Sequence, residues 1–260
     1  MDLNLAGRRA FVTGANRGIG EAIAHALARE RVNLALFARH QVERVAAAAR
    51  SEHGVTAVGV AIDLAAPKTI PGAVAEAVAA LGGVDILINC AGGATRGHYD
   101  QIAEADWEAS FAVKPLGLIR MTRETVPHLE KSDQPRIINI AGTRGREPGV
   151  FSAVAGPINF ATLSVTKVLA NELGPRGITV NAINPGSTDT RRWDELVRIT
   201  AEERKLSPAD AEKHLLREVP LGKVVRASDI ADLTVFLASA RAGMITGTAI
   251  NVDGGRTRSI

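Results

Sequence analysis

Short apolar runs recur along the chain with helical patterns between them. They fall at Ala10–Val12, Asn33–Phe37, Val55–Ile62, Val84–Ile88, Arg136–Ile140, Ile178–Ile183 and Thr248–Val252. Runs of this length, rich in Val and Ile and separated by amphipathic stretches, predict strands alternating with helices. Such alternation builds a mainly parallel sheet covered by helices on both faces. The expected architecture is therefore α/β, a three-layer αβα sandwich around a seven-stranded sheet. No repeat, low-complexity segment or linker interrupts the pattern, so residues 1–260 read as a single domain. The charged stretch from Arg191 to Val219, bounded by Pro220, predicts a helical lid inserted between the sixth strand and the last helix. Ser228 is expected to cap that last helix.

Composition narrows the class. With 46% hydrophobic and 23% charged residues the chain is globular, and with 3% aromatics its core is mostly Ala, Val, Leu and Ile. The net charge of +3 is small and the basic residues are dispersed, which argues against a nucleic-acid partner. Cys90 is the one cysteine, leaving no disulfide framework or thiolate metal cluster. The six histidines show no paired ligand spacing, so no metal site is expected. A Gly-x-Ser-x-Gly hydrolase elbow is also absent. Met1–Leu5 lacks the basic and apolar regions of a signal peptide. The longest uncharged stretch, Pro148–Thr166, contains Pro157, Asn159 and several hydroxyls, which suits a buried or interfacial helix better than a membrane span. A cytoplasmic protein is expected.

The chemistry begins at Thr13-Gly14-Ala15-Asn16-Arg17-Gly18-Ile19-Gly20, between a predicted strand and a predicted helix. In that setting Gly14 allows a sharp turn, Gly18 a close approach to a pyrophosphate, and Gly20 close helix–strand packing. The helix N-terminus adds free N–H groups and positive dipole. A plain strand-to-helix connection is the competing reading of a lone glycine triplet. After the second strand, where an NAD site places an acid for the ribose hydroxyls, the chain reads Phe37-Ala38-Arg39-His40. Arg39, with Arg17 from the glycine turn, suits a 2′-phosphate instead, so NADP(H) is expected over NAD(H). Two solvated arginines are the plainer alternative. Asp63, followed by Leu64, is placed either to meet an adenine amino group or to cap the helix starting near Pro67.

With these residues in view the chain resembles the classical short-chain dehydrogenases/reductases over nearly its full length. The resemblance rests on Thr13–Gly20, Asp63, Asn89-Cys90-Ala91-Gly92, Ile137–Ile140, Asn171–Asn181, Pro185-Gly186-Ser187-Thr188-Asp189-Thr190, Thr246-Gly247 and Val252-Asp253-Gly254-Gly255. It implies a Rossmann fold that binds a nicotinamide dinucleotide. Asn89 would stabilise the sheet centre, Ala91 and Gly92 would pass under the cofactor ribose, and Pro185, Gly186, Thr188 and Thr190 would hold the nicotinamide carboxamide. It also implies a homo-oligomer, tetramer or dimer, built through helices at roughly 101–130 and 152–174.

The resemblance fails where the family does its proton chemistry. There a tyrosine acts as acid, a lysine four residues on lowers its pKa, a serine thirteen residues before it holds the carbonyl oxygen, and a helix asparagine anchors a relay water. Counted from the matching flanks, these positions fall on Ala155, Asn159, Gly142 and Lys114. No other register helps: the single tyrosine, Tyr99, is followed four residues on by Ala103. A general acid is worth roughly 10²–10⁴ in rate and an oxyanion donor roughly 10²–10³, so the family's usual route is largely missing. Lys114 is the candidate substitute, as proton donor, carboxylate partner or Schiff-base amine; a cavity-filling or outward-snorkelling lysine is the alternative. Pro115 is expected to kink the helix there. Arg144, Ser152 and Trp193 are candidate substrate contacts, against alternative roles as solvated loop arginine, helix cap and lid core. Tyr99 reads as a pocket residue or a packed loop tyrosine. Lys114, Arg144, Arg191 and Arg192 together suggest an acidic small-molecule substrate. Three functions follow: an oxidoreductase with a rerouted proton, a silent NADP(H)-binding sensor or partner subunit, and a non-redox lyase or dehydratase using the same pocket.

Overall fold

The computed structural model describes residues 2–259. Its strands are β1 (Arg9–Thr13), β2 (Asn33–Ala38), β3 (Ala57–Ala61), β4 (Ile86–Asn89), β5 (Arg136–Ile140), β6 (Thr179–Pro185) and β7 (Ala249–Val252). They form one seven-stranded sheet in the order β3-β2-β1-β4-β5-β6-β7. Every neighbouring pair is parallel, so the sheet is wholly rather than mainly parallel. The helices are α1 (Gly18–Arg29), α2 (Val42–His53), α3 (Ile70–Leu81), α4 (Glu104–Val113), α5 (Pro115–Leu129), α6 (Ala155–Leu173), α7 (Arg191–Arg204), α8 (Pro208–Leu216) and α9 (Ala227–Ala238). No helix among the described residues is long and apolar enough to cross a membrane.

Alternation along the strands separates two apolar layers. Ala10, Val12, Leu34, Leu36, Ile86 and Ile88 face α1, α2 and α9. Phe11, Ala35, Phe37, Leu87 and Ile137 face α3, α5 and α6. Both faces of the central strands β1, β2, β4 and β5 are thus covered, which is why these strands read as largely apolar runs.

Two boundaries differ from the expectation. The 101–130 helix starts later than expected, at Glu104, and the kink expected at Pro115 is a full break into two helices at Lys114, because Pro115 lacks an N–H and restricts the residue before it. Arg120 donates to the Ala112 carbonyl at 3.3 Å beside this break. The last helix is capped at Arg226 rather than Ser228: Asp229 accepts the Arg226 backbone N–H at 2.9 Å and pairs with its guanidinium. Ser228 lies inside the first turn. The stretch expected to form a helical lid folds as α7 and α8.

The chain builds outward from β1 to β3 and then returns to place β4 on the other side of β1. The crevice beyond the carboxyl ends of β1 and β4 is thus the switch point at which such sheets bind ligands. Thr13 knits it together, its hydroxyl accepting the Cys90 and Ala91 backbone N–H groups at 3.0 and 3.1 Å. Gly14 has φ +69°, and a Cβ there would lie 2.8 Å from the Ala91 Cα. A Cβ on Gly20 would lie 2.3 Å from the Gly14 carbonyl oxygen. Gly20→Ala is therefore expected to lower the unfolding free energy by about 1–3 kcal/mol, read as a lower urea midpoint at unchanged m-value. An unchanged midpoint would show that the turn relaxes freely.

Candidate active site

The glycine turn ends on a helix whose first N–H groups have no side-chain cap, with Arg17 in extended backbone at the N-cap. Gly14 and Gly18 both adopt positive φ, and a Cβ on Gly18 would meet the Thr190 methyl at 3.4 Å. The turn therefore faces the loop after β6. That loop is fixed from behind: a Cβ on Gly186 would lie 2.8 Å from the Asp253 Cβ. The Asp253 carboxylate accepts the Gly255 and Thr257 N–H groups at 3.0 and 2.8 Å. The Thr188 hydroxyl donates to the Gly186 carbonyl at 3.0 Å and the Thr190 hydroxyl to the Thr188 carbonyl at 3.3 Å. Uncapped N–H groups, bare glycines and a braced hydroxyl loop across one crevice fit a dinucleotide.

The remaining cofactor candidates divide. Arg17, Arg39 and His40 are exposed at the crevice rim. Arg44, which the sequence reading missed, reaches from α2 to the Asn16 carbonyl at 3.2 Å and to Glu21 at 2.8 Å, adding a third guanidinium beside the glycine turn. Ile19 is half-buried. Asp63 accepts the Ala65 N–H at 3.0 Å, capping its own turn rather than the helix beyond Pro67. Leu64 is buried, and a Cβ on Gly117 would lie 2.9 Å from its own Cβ; its side chain belongs to the core. Asn89 donates to Asn139 at 2.9 Å and Asn139 to Thr166 at 2.9 Å, a buried polar tie across β4, β5 and α6. Ala91 and Gly92 continue from β4 under the glycine turn.

Lys114 lies against Gly92, just past β4, and reaches to the ends of β5 and α6. The break between α4 and α5 turns its side chain inward, where a Cβ on Gly92 would lie 2.9 Å from its Cδ. Its Nζ donates to the Ala141 carbonyl at 2.8 Å and to Asn159 Oδ1 at 2.6 Å. A Cβ on Gly142 would lie 3.0 Å from Asn159 Nδ2, and Ala155 is one turn before Asn159 on α6. The four residues picked out in the sequence are thus brought to one place. Burial lowers the Lys114 pKa to about 8, opposed by Cys90 and aided by Arg192. Burial likewise pushes the Cys90 thiol up to about 12, so it stays protonated and inert. An ammonium makes three hydrogen bonds; two are made among the described residues, which leaves Nζ the capacity for a third.

Among the residues expected near a substrate, Arg192 donates to the Ala94 carbonyl at 2.6 Å, tying α7 to the loop after β4. Arg144 is half-buried in the loop after β5, and burial, then Arg256, lowers its pKa against the opposing pull of Glu218. Ser152 is buried and bridges to Gly97; α6 starts three residues later with no side-chain cap, so Ser152 is not its cap. Trp193 is buried, its Nε1 donating to Glu212 at 3.3 Å across the α7–α8 hairpin, which is the lid-core position. Tyr99 is 78% exposed, so it does not pack in its loop. His25 and His53, far apart in sequence, meet at Glu52 on the other side of the molecule.

A family model described as enoyl-(acyl carrier protein) reductase matches residues 14–257. The chain is 32% identical over 256 residues to the NADPH-dependent reductase BacG of Bacillus subtilis, covering 97% of this chain and 99% of that one. It is 31% identical over 262 residues to the 3-oxoacyl-[acyl-carrier-protein] reductase FabG of Aquifex aeolicus, covering 98% and 99%. Among solved structures, L-sorbose reductase from Gluconobacter frateurii, complexed with NADPH and L-sorbose, superimposes with a TM-score of 0.95 at 28% identity, covering 100% of both chains.

A lysine whose folded pKa lies below its unfolded value of about 10.4 disfavours the folded state while charged, and that penalty fades as the pH rises between the two values. Relative to Lys114→Met, the wild-type protein should therefore gain stability between pH 8 and about 10.4. Parallel denaturant titrations across that window check this; a pH-independent difference would place Lys114 in ordinary solvent.

Proposed function

The chain belongs to the classical short-chain dehydrogenase/reductase family, and we propose that it is an NADPH-dependent reductase of anionic carbonyl compounds in which Lys114 supplies the proton. NADPH, when bound, provides the hydride. The α1 N-terminus and glycine turn would hold its pyrophosphate, Arg17, Arg39 and Arg44 its 2′-phosphate, and Pro185–Thr190 its carboxamide. As the substrate carbonyl becomes an alkoxide, the third N–H of the Lys114 ammonium gives up its proton to that oxygen, and solvent restores the ammonium. The Ala141 carbonyl and Asn159 Oδ1 hold Nζ in place, and Arg192 and Arg144 offer charge to a carboxylate or phosphate on the substrate. The observation that carries this reading is the Nζ held by two acceptors with its pKa drawn down to about 8. An acid performs best when its pKa lies near the working pH.

A panel of aldehydes, ketones and keto acids with NADPH, followed at the nicotinamide absorbance, tests the proposal. Keto acids should outrun uncharged ketones of equal size, and turnover should fall as the pH rises through about 8. Lys114→Met should lower kcat by about 10²–10⁴ with NADPH affinity unchanged. Undiminished turnover by that variant removes Lys114 from the mechanism. Tight NADPH binding with a flat trace supports the silent sensor, and product formed without cofactor oxidation supports the lyase. For the cofactor, Arg39→Ala should weaken NADPH roughly 10–100-fold, the value of a hydrogen bond to a charged group. NADH binding should stay unchanged; equal losses for both would reject the 2′-phosphate role.

A further inference from the structure

We propose that His25, Glu52 and His53 form a binding site for a zinc-type divalent ion that staples α1 to α2. His25 lies in the second half of α1, while Glu52 and His53 close the last turn of α2. His25 Nδ1 and His53 Nε2 each lie 3.8 Å from Glu52 Oε2. One ligand atom from each of the three residues falls within 4.8 Å of the other two. In a tetrahedral zinc site with bonds of ~2.1 Å, ligand atoms are separated by ~3.4 Å, so small side-chain rotations close the triangle. The two imidazoles meet edge to face, with centroids 6.4 Å apart at 73°, and so share no face that would block an ion. Both are largely enclosed, with side-chain exposures of 27% and 20%.

The scaffold is already fixed around them. Gly54 ends α2 in the left-handed conformation, and Arg31 donates to the His53 carbonyl at 2.6 Å. Two imidazole nitrogens and one carboxylate suit zinc and its first-row neighbours rather than calcium or magnesium, which prefer all-oxygen shells. Three protein ligands leave a fourth position for water. Because α1 and α2 both run from the carboxyl edge of the sheet to its amino edge, the site lies at the end opposite the glycine turn. Its role is structural, and cofactor binding is independent of it.

Calorimetric titration of zinc chloride into untagged, chelator-stripped full-length protein tests the proposal, with thermal unfolding as a second readout. The expected result is one saturable ion per chain and a Tm that rises with zinc but not with magnesium. His25→Ala with His53→Ala should weaken binding at least ~tenfold, which is about 1.4 kcal/mol, and abolish the Tm shift. Glu52→Gln, a change at an exposed side chain, should weaken binding while leaving the zinc-free Tm unchanged. His128→Ala with His214→Ala should alter nothing. Absence of saturable zinc binding, or affinity equal to wild type in the His25 and His53 double variant, would overturn the proposal.

Discussion

The crevice depends on the contact between Gly14 and Ala91. The two backbones approach so closely that a single methyl group on Gly14 would overlap Ala91, and the Thr13 hydroxyl fastens the same junction by accepting two N–H groups from the end of β4. Those hydrogen bonds join strands that are neighbours in space and far apart in sequence. Once β1 and β4 are locked, the start of α1 and the segment leading to Gly92 are set with respect to each other. Lys114, whose stem packs on Gly92, inherits its position from that junction. Cofactor cradle and candidate acid are therefore consequences of one packing constraint.

The lysine itself is a compromise between burial and hydrogen bonding. Enclosing an ammonium is costly unless its protons are matched to acceptors. The Ala141 carbonyl and Asn159 satisfy two of the three, and the remainder of the cost appears as a lowered pKa. A residue fully matched would be a structural cation. One with capacity for a third hydrogen bond, beside the crevice and near Arg192, is what the proposed proton transfer requires. The family's tyrosine and lysine divide acid and tuning between two side chains; here one side chain would do both, with its neighbours supplying the tuning.

Much of this was legible in the chain. The apolar runs located all seven strands of the sheet, because most strand positions are covered by helices and the few polar ones, such as Asn139 and Asn181, are themselves buried and hydrogen-bonded. Pro115 announced the break at Lys114, since a missing N–H acts locally. The convergence of Lys114, Gly142 and Asn159 could be counted from flanking motifs because their spacing is set by rigid strands and helices. What escaped depends on crossings between elements. Arg44 matters only because α2 leans over the glycine turn, and His25 and His53 meet only because α1 packs on α2. For Trp193 the chain left a substrate contact and a core position open, and α8 folding back on α7 decides for the core. Ser228 failed as a cap because Asp229, one residue on, reaches the Arg226 N–H.

The most direct measurement is the titration of the Lys114 amine by NMR in protein carrying isotope-labelled lysine, its resonance assigned by its loss in Lys114→Met. The account predicts a midpoint at about 8. A midpoint near the ordinary value of about 10.4 would contradict it, leaving Lys114 an unremarkable solvated cation and the crevice without its proton donor.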